Sequence, residues 1–205
     1  MKNKKKLIAL VLLLAMLIGA TVGGTVAWLV TSTEPVVNTF TVGNINIDLD
    51  ESVDSEFQMV PGAELPKDPS VTVKEGSEKC WVFVRIDEST NLEDFITYEV
   101  ADTWICVEDR IDYAIYAYEE VVTHNNPIYI LEGKGTDELK NGYVTVNSDV
   151  TKEDMDALTD ATLPTLTFTA YAIQADNLKD SKDRVPKNVF EVWQLYNGED
   201  IEDPV

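Results

Sequence analysis

The residues able to do chemistry are few. The sequence holds one histidine, His124, and two cysteines, Cys80 and Cys106. His124 stands in Thr123-His124-Asn125-Asn126-Pro127, a turn-type sequence between apolar runs, so a solvated loop position is the plain reading. One histidine excludes a zinc hydrolase of the two-histidine helix type on ligand count. It also leaves a Ser–His–acid or Cys–His site without an identifiable partner. No glycine-rich loop follows a strand and opens a helix, so a phosphate cradle is not expected either.

Carboxylates are the abundant reactive type, with 37 Asp and Glu against 16 Lys and Arg. At that density, paired acids arise from composition alone. Asp48, Asp50 and Glu51 at a predicted strand end, and Asp176, Asp180 and Asp183 in a loop, are the clusters able to attract calcium weakly at the surface. Neither has the spacing and glycine of a helix–loop–helix calcium site, and a charge-rich solvated loop accounts for both. No catalytic residue, resident metal or cofactor is therefore expected. Cys80 and Cys106 each sit in an apolar run. In an oxidising compartment they can pair, for at most about 3–4 kcal/mol. Equally, they can stand unbonded as small strand residues, and the sequence leaves both open.

The elements that must carry these residues read as strands. Residues 39–49 alternate, with Phe40 and Val42 on one face and then Ile45, Ile47 and Leu49; the phase slips at Gly43-Asn44, a predicted bulge or tight bend. Val71 and Val73 mark a short strand. In residues 80–86, Cys80, Val82, Val84 and Ile86 face one way, and Trp81, Phe83 and Arg85 the other. Apolar residues on both faces predict a central strand. Further strands are predicted at 95–100, 104–107, 112–118, 128–131, 143–146 and 163–174. Short strands separated by Gly, Pro, Asn and Asp clusters predict a mainly β protein, a jelly-roll-like β-sandwich. Two short surface helices complete it. Thr151 and Asp154 suit a capped start, and Val189, Val192, Trp193 and Tyr196 recur at helical spacing before Asn197-Gly198.

The first residues speak to location. Lys2, Lys4, Lys5 and Lys6 precede an apolar run over residues 7–18, followed by small residues through Ala27. That order is a secretory signal peptide, with Thr25 and Ala27 suited to the small-residue positions before a cut. Cleavage between Ala27 and Trp28 is expected. The competing expectation is an uncleaved anchor, which the length of uncharged sequence permits. Either way the lysines hold the N-terminus inside and place the rest outside the membrane. Removing residues 1–27 leaves 12 basic against 37 acidic groups, a net charge of about −25. Such a surface repels nucleic acid and anionic lipid, so neither is an expected partner.

Gly23-Gly24-Thr25-Val26-Ala27-Trp28-Leu29, followed by Asn38-Thr39-Phe40-Thr41-Val42-Gly43-Asn44-Ile45-Asn46-Ile47, resembles the start of the TasA/camelysin family of Gram-positive bacteria. The likeness continues at Val60-Pro61-Gly62, Val82-Phe83-Val84-Arg85-Ile86 and Tyr171-Ala172-Ile173-Gln174-Ala175-Asp176. The resemblance implies a signal peptide cut by a dedicated signal peptidase, and jelly-roll domains that assemble into biofilm-matrix fibres. In that mode the mature N-terminal segment (Trp28, Leu29, Val30, Thr31, Ser32 and Thr33) adds as a strand to the next subunit. Pro35 limits the strand, having no N–H to give. The implied partners are other copies of the chain and an accessory matrix protein. The domain order is then a signal peptide over 1–27, a donor segment over 28–38 and a sandwich over 39–205. Two alternatives remain: a camelysin-like extracellular metallopeptidase, for which the sequence offers no recognisable ligand set, and a membrane-anchored binding module.

Overall fold

A computed structural model describes residues 44–53, 58–124, 126–135 and 139–202. These belong to one compact unit, Val42–Val205. The signal segment, the Ala27–Trp28 junction, the donor strand 28–33 and the predicted bulge at Gly43 lie outside the described residues.

The frame is the longest apolar alternation in the sequence. Strand β4 (Cys80–Glu88) lies between β10 (Leu166–Gln174) and β7 (Tyr113–Tyr118), and β7 pairs in turn with β6 (Trp104–Asp109). All these pairings are antiparallel, and β10 matches β4 residue for residue from Leu166↔Glu88 to Gln174↔Cys80. The predicted central strand is thus central, because only a strand with neighbours on both sides and cover on both faces can bury both sets of its side chains.

Two three-stranded sheets complete the β structure. One orders β1 (Ile47–Asp50), β3 (Ser70–Val73) and β8 (Ile128–Tyr129). The other orders β2 (Glu64–Pro66), β9 (Tyr143–Val146) and β5 (Ile96–Tyr98). Their apolar faces meet Cys80, Val82, Val84 and Ile86 of β4 in one core, which also holds Val71, Val73, Ile130, Leu131 and Val144. The protein is mainly β, with 35% strand and 11% helix, in three antiparallel sheets consistent with a β-sandwich-like fold. Among the described residues no helix is long and apolar enough to cross a membrane.

The opposite face of β4 has its own cover. Helix α3 (Val189–Tyr196) buries Val189 and Val192 against Phe83, Ile115 and Ala117. This corrects the expectation of a surface helix: Trp81 and Phe83 are apolar, so that face needs a lid. Helix α2 (Lys152–Asp156) does lie on the surface, with no buried residue. Its capping box is the predicted one, Thr151 Oγ1 accepting from Asp154 N at 3.2 Å and Thr151 N donating to the Asp154 carboxylate at 2.9 Å.

Two local differences have plain causes. The segment predicted as strand from residue 95 begins with a helical turn, α1 (Leu92–Phe95), which seats Leu92 and Phe95 before β5 starts. Strand β2 escapes the sequence because three residues ending in Pro66 carry no alternation, and it lies at a sheet edge, where proline is tolerated. It is aimed by the turn at Pro61-Gly62, where Ala63 N donates to Val60 O at 2.9 Å and Gly62 takes φ 78°. Proline followed by a positive-φ glycine is the type II turn chemistry.

Candidate functional site

The structure separates most of the residues that chemistry could have used. Cys80 is buried, Cys106 is exposed, and both are free thiols. Of the two states that the sequence left open, the structure has the unbonded one. Strand β7 lies between their strands, and Cys106 stands opposite Tyr116, which faces Val84 rather than Cys80. Two strand spacings of about 4.8 Å already exceed the reach of a bridge. Burial pushes the Cys80 thiol up from the ordinary cysteine value, and partial desolvation followed by the charge of Asp109 does the same for Cys106, so neither is an activated nucleophile. His124 is exposed in its turn.

The two acidic clusters are divided among partners. Asp48 pairs with Lys74 at 2.6 Å. Lys67 Nζ lies 2.7 Å from Glu51 Oε1 and 2.8 Å from Oε2; the Oε2 contact has hydrogen-bond geometry, while Oε1 is held by charge alone. The Asp180 carboxylate accepts from Lys182 N at 2.9 Å, Arg184 N at 2.8 Å and Arg184 Nε at 2.6 Å. Asp183 is 3.5 Å from Lys179, and Asp176 is exposed. Among the described residues no group of three His, Cys, Asp or Glu side chains is placed to hold a metal ion.

Among the described residues the fold assembles a strand edge that lacks a ladder partner, with an apolar groove beside it. Among the described residues β10 pairs with β4 alone, so its outer row of N–H and C=O groups is unmatched. Strand β1 comes near β10 without forming a ladder. Where β10 begins, a groove of about 620 Å³ opens between it and β2, lined by Met59, Leu65, Leu92, Val144, Leu163 and Leu166. Its one charged wall residue, Lys67, is neutralised by Glu51 and has its ammonium 5.9 Å from the Phe168 ring. Asp68, next to Lys67 in the chain, is only 7% exposed. Its carboxylate accepts from Ser52 N at 2.9 Å, from Val53 N at 3.3 Å and from the Ser52 hydroxyl.

The other edge of the same sheet is blunted. A register shift at Val107 interrupts β6 between Cys106 and Glu108, and Glu108, Asp109 and Arg110 follow. A bulge and charges on an edge strand oppose pairing with a second chain. Glu108 also latches α3 to the sheet. Its Oε2 accepts from Trp193 Nε1 at 2.8 Å, and its Oε1 accepts from Tyr113 OH and Arg110 Nε, each at 2.9 Å. Those bonds hold its carboxyl below the usual glutamate range, Arg110 contributing most, then Trp193 and Tyr113. The sequence reading missed this latch because residues 108 and 193 share no local pattern. The one available signal was a Trp on the apolar face of a short helix, whose N–H needs an acceptor once buried.

No protein-family model, curated protein or solved structure matches the chain.

Proposed function

We propose that this chain is an extracellular structural subunit, of the kind the TasA/camelysin resemblance implies, which builds matrix fibres by strand donation. The observation that carries the reading is the outer edge of β10, unmatched among the described residues and set beside a groove of about 620 Å³. A six-residue segment in extended form reaches about 20 Å, within the span of a nine-residue strand such as β10. Main-chain hydrogen bonds along the edge supply affinity, and alternate side chains fill the groove. Trp28 is the natural anchor, since its ring has the largest apolar area in the donor. The blunted β6 edge supports growth at one edge only, which yields a linear polymer rather than a sheet aggregate.

Deleting residues 28–33 should abolish fibres seen by electron microscopy while leaving the melting temperature of the domain unchanged. Leu163→Glu should weaken assembly at the acceptor side. Leu163 is 47% exposed, so the change leaves the core intact and sets a charge in the groove wall. Unchanged fibres after the deletion would sink the reading. So would a large drop in melting temperature, because it would make the segment an ordinary strand of its own domain.

A further inference from the structure

Helix α3 covers only one end of the outer face of the four-stranded sheet. Below it lie Trp81, Phe83, Ile105, Ile115, Ala117 and Ile173. Among the described residues the other end of the same face has no such cover and presents Arg85 and Asp87 of β4 and Thr167 and Thr169 of β10, with Tyr113 of β7, itself packed against the cluster under α3, at the margin. Their cross-strand register is Asp87↔Thr167, Arg85↔Thr169 and Asp87↔Tyr113. The Arg85, Asp87 and Tyr113 side chains are held in one preorganised arrangement. Arg85 Nε donates to both Asp87 oxygens at 2.9 and 2.7 Å, Nη2 donates to Asp87 as well, and the guanidinium lies 3.8 Å above the Tyr113 ring centroid. Nη1 makes no hydrogen bond among the described residues. An arginine so fixed still offers N–H donors to a ligand.

Aromatic rings border this array. Tyr171 follows Thr169 on the same face of β10, and its ring centroid is 6.5 Å from that of Tyr196. Tyr196 stacks on Trp193 at 5.1 Å, with 20° between the ring planes, and remains 54% exposed. A tyrosine ring so exposed presents an apolar face and a polar tip to a ligand.

From this juxtaposition we infer that the uncovered end of the β10–β4–β7 face, with Tyr171 and Tyr196 at its border, binds an uncharged polysaccharide. Sugar rings offer the two chemistries the surface offers in reverse: an apolar C–H face for the tyrosine rings, and hydroxyls for a donor–acceptor pair such as Arg85–Asp87. Charge selects the occupant. The chain has 37 acidic against 16 basic residues, yet here Arg85 is matched by Asp87 and Arg110 by Glu108. A patch that has compensated its own charges, on a molecule that repels anions, favours a neutral glycan over an acidic one. The site meets the β10 groove at Thr167, but it does not depend on strand donation.

Affinity electrophoresis of the full chain through gels containing hydroxyethyl cellulose, laminarin or galactomannan tests the inference, with polygalacturonate as the anionic comparison. At least one neutral glycan should retard the protein. Tyr196→Ala and Arg85→Met should each weaken that retardation tenfold or more, with melting temperatures within a few degrees of the parent. Retardation by none of the neutral glycans overturns the inference, as does binding confined to polygalacturonate. Equal retardation of both folded variants and the parent does so too. Loss of assembly on deleting residues 28–33 leaves this measurement unaffected, so the two ideas fail separately.

Discussion

Glu108 concentrates much of the polar chemistry that fixes the lid. One carboxylate accepts from a helix tryptophan, a strand tyrosine and an arginine of its own strand end. Trp193→Phe keeps the tilted ring contact with Phe83, 5.3 Å away, but removes one donor. The expected loss is about 2 kcal/mol, typical of a hydrogen bond to a charged group, read from denaturant unfolding. The pH dependence has a definite sign. Because the folded pKa of Glu108 is depressed, its stabilisation is fully present above the unfolded value of about 4.3 and is lost as pH falls through the lower folded value. The Trp193→Phe protein should therefore lose less stability than the parent on acidification from about pH 5 to pH 3. The cysteines give a second check at this scale. Thiol labelling without reductant should modify Cys106 alone in the native protein, and both residues after unfolding. Labelling of neither in the unfolded protein would restore the bridge.

At the scale of elements, α3 is short and rests on its start. Asn188 Oδ1 accepts from Glu191 N at 3.0 Å, and the Glu191 carboxylate accepts from Lys187 N at 2.6 Å, so two helix-start donors are satisfied. A helix of eight residues is marginal by itself, so both the cap and the burial of Val189 and Val192 are needed. Asn188→Ala should cost about 1 kcal/mol. Because α3 covers Phe83 and Ile115, the loss should be accompanied by faster hydrogen exchange at the α3 amides than at those of β4. Equal acceleration in both would show that the helix has no separate opening. The asymmetry of the sheet edges belongs to the same scale. A bulge at Val107 blunts β6, whereas β10 keeps a regular nine-residue ladder with β4.

For the whole molecule, charge sets the terms of association. A net charge of −21 opposes the approach of like copies. The screening length shrinks from about 30 Å at 0.01 M salt to about 8 Å at 0.15 M. If copies assemble as proposed, seeded fibre growth should accelerate across that range. Growth that is flat or slower with added salt would mean that the contacting surfaces are complementary in charge rather than apolar. The same excess of acid predicts no retention on DNA or on anionic vesicles.

The sequence by itself determined the strands that carry an alternating pattern and which face each of their residues takes, because alternation is a local property written into neighbouring side chains; β2, without alternation, was not among them. Cys80, Val82, Val84 and Ile86 on one face of β4, with Trp81 and Phe83 on the other, were legible before any partner was known. So was the Thr151 cap, since both of its groups lie within one turn. What only the tertiary structure decided is what lies next to what. It set β7 between the two cysteine strands, turned α3 from a surface helix into a lid, joined Glu108 to Trp193 across 85 residues of chain, and left β10 with one described ladder partner. Strand order and edge exposure follow from how several apolar faces are buried at once, a condition on the whole chain that no single segment carries.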